Sequence, residues 1–221
     1  MAQANSAQAA RRPPGASQRA GASGSCAPPL QQGGKNLEKN AMGGASSSAG
    51  KEIRAVFIGM PGAGAKSLVG RALTGECPTT PAELEASREW RSVRRAFEQL
   101  ELHLLGLGSQ TGLWAKHLPG AQVLVFVIDA SQDIDADRLS AAFGSAIKDC
   151  GLAEGVPVVV LLNKMDLVET SVGEERKGLA SAALGATCGP VRQCRVCSVS
   201  ALSGDGVDEA VRVICGNTLT F

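Results

Sequence analysis

From about residue 51 onward the chain alternates short apolar runs with helix-length segments, and before that point no such pattern exists. The runs Ile53–Ile58, Leu100–Leu105, Val123–Asp129, Val156–Leu162 and Cys194–Ser198 predict strands, since each is strand-sized and rich in aliphatic residues. Those at 123–128 and 156–162 are apolar without alternation, which predicts central strands covered on both faces. Between them Ala65–Thr74, Asp135–Asp149, roughly Glu174–Leu184 and Val207–Cys215 predict helices. Strands and helices in strict turn imply an α/β fold, a mostly parallel sheet with crossover helices on both faces. Residues 82–99 fit two descriptions: Leu84, Trp90, Val93, Phe97 and Leu100 share a helical face, yet an edge strand often stands here in such a sheet.

Residues 1–50 are Ala, Gly, Ser, Gln and Pro with almost no large apolar side chain, so they predict a disordered tail ahead of one domain at 51–221. The tail is basic, with five basic residues and one acidic, against 17 and 20 in the rest. Arg11, Arg12 and Arg19 resemble a transit peptide, but Pro13, Pro14 and the glycines break any amphipathic helix, and a solvated tail is the simpler reading. Nucleic acid is not an expected partner, because no concentrated basic stripe exists and only two Trp and five Phe could stack bases.

Seven cysteines at irregular spacings, with no secretory signal ahead of them, predict free thiols in a reducing compartment and an intracellular, cytoplasmic protein. Cys194 and Cys197 form a lone C-x-x-C, which reads as ordinary strand cysteines before it reads as half a zinc site. No apolar run reaches the roughly 18–20 residues of a membrane span. Ala2 replaces the glycine needed for myristoylation and no cysteine is fourth from the end, so no lipid anchor is expected and any membrane contact is peripheral.

Three segments carry chemistry. Asn163-Lys164-Met165-Asp166 follows the strand ending at Leu162, at the carboxyl end where parallel sheets bind ligands. A carboxylate there can accept the ring N–H and the exocyclic amine of guanine, a pair that adenine does not present; the Asn bridges loops and the Lys stem packs along the base. Ser198 to Gly206 follows the last strand, and the backbone of Ser200, Ala201 and Leu202 can present an N–H to the guanine oxygen. Taken alone, these are a charged loop and a turn; together at neighbouring strand ends they read as two walls of one pocket.

The third segment, Gly59-Met60-Pro61-Gly62-Ala63-Gly64-Ala65-Lys66-Ser67, nearly matches the phosphate-binding loop G-x-x-x-x-G-K-[ST]. In such a loop, backbone N–H groups and a helix N-terminus hold the phosphates. Gly59, Gly62 and Gly64 are available, but Ala65 stands at the Lys position and Lys66 at the hydroxyl position, with Ser67 next.

With these motifs, residues 53 to about 214 resemble the ADP-ribosylation factor (Arf) branch of small GTPases. Leu113-Trp114-Ala115-Lys116-His117, then Val123–Ile128 and Asp129-Ala130-Ser131, is similar to that branch's segment after the second switch. The resemblance implies a P-loop G domain with a six-stranded sheet, GTP and GDP as ligands, magnesium as cofactor, effectors or coat-complex subunits as partners, and a role in trafficking. It departs from the family at the phosphate end. The second-switch motif D-V-G-G-Q appears as Gly106-Leu107-Gly108-Ser109-Gln110, which keeps the water-orienting glutamine as Gln110 and loses the magnesium-linked Asp. Where the first-switch threonine is expected after Pro81, Ala82 stands instead. The three positions expected to anchor magnesium are therefore Lys66, Ala82 and Gly106, so no metal-binding residue is assigned.

The expectation is a guanine-nucleotide-binding protein with weak or absent hydrolysis, acting as a switch or adaptor. The readings beside it are an adaptor that binds no nucleotide and a conventional GTPase that tolerates the changes. His103 and His117 read as surface or packed residues rather than catalysts.

Overall fold

The computed structural model describes residues 52–95, 100–190 and 192–216. The predicted tail and Phe97 lie outside them. Six strands form one sheet in the order β2-β3-β1-β4-β5-β6: β1 (Glu52–Gly59), β2 (Arg91–Arg95), β3 (Leu100–Gly108), β4 (Val123–Asp129), β5 (Val158–Asn163) and β6 (Cys194–Ser198). Only the edge pair β2–β3 is antiparallel. The helices are α1 (Ala65–Thr74), α2 (Pro81–Ala86), α3 (Thr111–His117), α4 (Ala136–Lys148), α5 (Thr170–Cys188) and α6 (Val207–Gly216). The stretch 82–99 thus divides between the end of α2 and the strand β2.

β4 and β5 are buried at every position, as their unbroken apolar sequence requires of strands covered twice. Alternate residues enter two cores. On one face Ile53, Phe57, Val125 and Leu161 meet Leu68 and Val69 of α1 and Val211 and Ile214 of α6. On the other, Ile58, Phe126 and Val160 meet Trp114 of α3, Phe143 of α4 and Leu184 of α5. The Phe126 and Phe143 rings pack edge to face with centroids 5.2 Å apart, an arrangement that sets a positive ring edge against a negative face.

The period of two also settles the C-x-x-C pair. Cys194 packs with the α5 core and Cys197 with the α1/α6 core, so the two thiols stand on opposite faces of the sheet and cannot share a metal. Cys194 instead shares a hydrogen bond with Cys188, which lowers the Cys194 thiol and raises that of Cys188. His103 stands near the start of β3, with Nε2 3.9 Å from Glu52 and 4.0 Å from Glu101, while His117 meets Trp90 edge-on at the end of α3.

The five parallel strands β1, β3, β4, β5 and β6 end on one side, and the loops after β1, β4, β5 and β6 converge there. That is the side on which a ligand site forms in an open parallel sheet.

Candidate functional site

Asn163, the last residue of β5, is 2% exposed and joins three of these loops. Its Nδ2 donates to the carbonyl of Ala63 at 2.8 Å, and its Oδ1 accepts from the backbone N–H of Ala201 at 2.9 Å. One amide therefore holds the loop after β1 and the loop after β6 to the end of β5. The approach is close enough to fix a neighbour: Gly64 caps α1 at φ 87°, and a Cβ there would run into the Asn163 amide. Gly59 ends β1 against the Val127 backbone, and Gly62 is exposed at the loop tip.

Asp166 is exposed in the turn after β5, and one of its carboxylate oxygens accepts the Ser200 hydroxyl at 2.5 Å. Ser200 is fully buried, and its Oγ also accepts from Ser203 N–H at 3.1 Å, so it sets both the carboxylate and the turn beyond it. An ionised carboxylate accepts about four hydrogen bonds, so Asp166 keeps acceptor capacity toward a ligand. Leu202 is 68% exposed at the tip of this turn. Arg71 of α1 braces the turn through bonds to the carbonyls of Leu202 (3.3 Å) and Ser203 (2.8 Å).

Lys164 takes the left-handed conformation at φ 68°, and its Nζ lies 2.6 Å from Asp129 Oδ2. Burial pushes the Asp129 carboxyl up, but hydrogen bonds from Lys164 and Ser131 outweigh it and hold the group below its ordinary value. The ion pair forms part of the wall of a cavity of about 330 Å³ that also touches Met60, Pro61 and Gly62 of the β1 loop.

The start of α1 is built differently. α1 begins at Ala65, directly after Gly64. Ala65 is buried, Lys66 and Ser67 are half-buried, and the Lys66 ammonium lies 3.4 Å from Glu85 of α2. Gln110 is exposed at the start of α3, where its side chain makes no capping bond. The loop after β1 therefore meets the loops after β5 and β6 through Asn163, while Lys66 is engaged with α2.

Sequence reasoning did not find Arg71, Glu85 or Ser87. Ser87, 2% exposed, follows α2 and donates to the carbonyl of Lys66 at 3.1 Å, while its own carbonyl accepts from Gly106 N–H at 2.7 Å. α2 starts with a capping box. Thr80 Oγ1 accepts from Glu83 N–H at 3.3 Å, and the Glu83 carboxylate accepts from the backbone N–H groups of Thr79 (2.8 Å) and Thr80 (3.0 Å). The signal T-P-x-E was present in the sequence, but nothing local said where the capped helix docks.

The bonds from Thr80 and Thr79 hold Glu83 below its ordinary 4.5. A lowered carboxyl supports the fold above its unfolded value and loses that support as pH falls through the folded one. The expected result is that the Thr79 and Thr80 amide resonances stay constant from pH 7 to 5 and move together below 4.5. Movement centred near pH 6 would contradict the assignment.

A glycine-rich loop entering a helix, an Asn-Lys-x-Asp turn and a Ser-Ala-Leu turn, gathered at the carboxyl ends of this sheet, define a small-GTPase G domain. The family model described as "ADP-ribosylation factor family" matches residues 41–218, and the chain belongs to that family. It is 24% identical over 179 residues to ADP-ribosylation factor-like protein 3 of Caenorhabditis elegans, covering 77% of this chain and 90% of that one. It is 34% identical over 172 residues to the GTPase Obg of Rubrobacter xylanophilus, of whose length it spans 37%. The solved structure of the Arl6 BBS3 small GTPase from Trypanosoma brucei with bound nucleotide analogue GppNp superposes with a TM-score of 0.59 at 16% identity. That match covers 76% of this chain and 98% of that one, and shows a shared fold.

Proposed function

We propose that the chain binds GDP and GTP through its base-side loops and hydrolyses GTP slowly or not at all. The observation that carries this reading is the buried Asn163, whose two bonds tie the loops after β1 and β6 to the end of β5. A pre-organised site binds without first paying to order its loops. In this reading Asp166 accepts the two guanine N–H groups, Ser200, Ala201 and Leu202 line the base, and Lys164 lies along it. The backbone of Gly59, Gly62 and Gly64, with Ser67 behind, faces the phosphates.

Hydrolysis requires more. Charge stabilisation is the largest catalytic contribution in phosphoryl transfer, and here Ala65 supplies none while Lys66 is shared with Glu85. Gln110 can orient a water, but without the accompanying charge it has little to act on. The chain then works as a nucleotide-holding adaptor for effector or complex-subunit proteins in the cytoplasm or peripherally at a membrane. No helix of the described residues is long and apolar enough to cross one.

The test is single-turnover hydrolysis of GTP by the full chain. The expected rate lies below the intrinsic value of roughly 10⁻⁴ per second of working small GTPases. Hydrolysis at or above that rate would refute the reading of the phosphate end.

A further inference from the structure

The magnesium that small GTPases use does not fit the residues that face its position. Lys66 is a cation, and Ala82 and Gly106 offer no side-chain donor. The backbone around Gly106 is also closely packed. A Cβ on Gly106 would stand 3.2 Å from the Ser87 carbonyl oxygen and 3.3 Å from the Lys66 Cα, tighter than ordinary contact. A side chain there would press on the Ser87 and Lys66 backbones, which would have to yield by a few tenths of an ångström. The parallel register of β1 and β3 slips at this point, from Phe57↔Gly106 to Ile58↔Gly108, which fits the turning of Gly106 N–H toward Ser87.

We propose that α2 is a latch: Ser87, with Lys66 and Glu85, seals the metal position, so the chain holds guanine nucleotide without a divalent cation and keeps one switch conformation whether GDP or GTP is bound. The proposal rests on the nucleotide-binding reading above. Its strength is unevenly distributed. The Lys66–Glu85 pair is partly exposed, with Glu85 also 2.6 Å from Arg88, so it contributes little by itself. The two bonds of Ser87 carry more, its carbonyl taking the Gly106 N–H and its hydroxyl tying the end of α2 to the Lys66 carbonyl of α1. A family member moves its first switch when the metal and terminal phosphate attach to it. Here the place of that attachment is already taken by protein groups, so the terminal phosphate has no lever on α2.

Hydrogen exchange of residues 81–90 in the full chain tests this, with EDTA, with magnesium, with GDP and with the slowly hydrolysed analogue GTPγS. The expected result is equal exchange in all four within about twofold, and exchange faster by about five- to tenfold in Ser87→Ala, the loss of roughly one buried hydrogen bond. Release of a fluorescent GDP, followed in parallel, is expected to be the same with EDTA and with magnesium. Gly106→Asp is expected to open the segment as well, and if that variant does not fold, Ser87→Ala still decides. Exchange that changes more than about tenfold between GDP and magnesium with GTPγS would overturn the latch, as would unchanged exchange in Ser87→Ala. Failure of the fluorescent GDP to bind, with residues 81–90 protected in wild type and loosened in Ser87→Ala, would overturn the nucleotide reading and leave the closed segment standing.

Discussion

Replacing Asp166 by Asn is expected to lower GDP affinity by about a hundred- to ten-thousandfold, since two hydrogen bonds to a charged acceptor are worth about 1.5–3 kcal/mol each. The Asn amide can still take the Ser200 hydroxyl, now 2.5 Å from the carboxylate, so the turn keeps its shape. What changes is the face toward the base. One acceptor becomes a donor and meets a guanine N–H donor. Xanthine presents an oxygen where guanine carries its amine, so the variant is expected to gain affinity for XDP as it loses GDP. Calorimetric titration of both nucleotides checks this, and unchanged GDP affinity would show that Asp166 does not read the base.

Removing the Asn163 amide is expected to have the largest effect on stability. Asn163→Ala leaves the Ala63 carbonyl and the Ala201 N–H without the partners they have at 2.8 and 2.9 Å. Each unsatisfied buried group costs about 1–3 kcal/mol, so the variant is expected to lose about 2–5 kcal/mol in chemical denaturation. A loss below about 0.5 kcal/mol, the range of ordinary surface substitutions, would contradict the role of Asn163 as the join between loops.

The meeting of the turns after β5 and β6 was legible because their motifs are local. Asn163, Lys164 and Asp166 are close in sequence at the end of an unmistakable buried strand, and the Ser200 turn stands at the end of the next one. β4, β6 and α1 have the boundaries that the apolar pattern predicts. α5 runs from Thr170 to Cys188, longer at both ends than expected, because Gly173, Gly178 and Gly185 blur its apolar face. α3 carried little periodicity in its seven residues. The ambiguity at 82–99 came from averaging two elements: Leu84 belongs to the end of a capped helix and Val93 to a strand, with Ser87 between them used in tertiary bonds.

The phosphate side was legible only as a set of losses. Lys66 for a hydroxyl, Ala82 for a threonine and Gly106 for an aspartate each look like damage when taken singly. The packing of Ser87 against Lys66 and Gly106 relates two of them, because a bulkier residue at 106 would press on the backbone of both partners. Contacts across 21 and 132 residues of chain leave no periodic trace, which is why neither Ser87 nor the Arg71 brace could be inferred beforehand.

The most direct measurement is the nucleotide content of the full chain purified in EDTA, denatured and chromatographed. GDP or GTP is expected near one equivalent per chain, with no adenine nucleotide. A chain that carries none, and that binds none when GDP is added, would contradict it and leave an Arf-family fold acting through its protein surface alone.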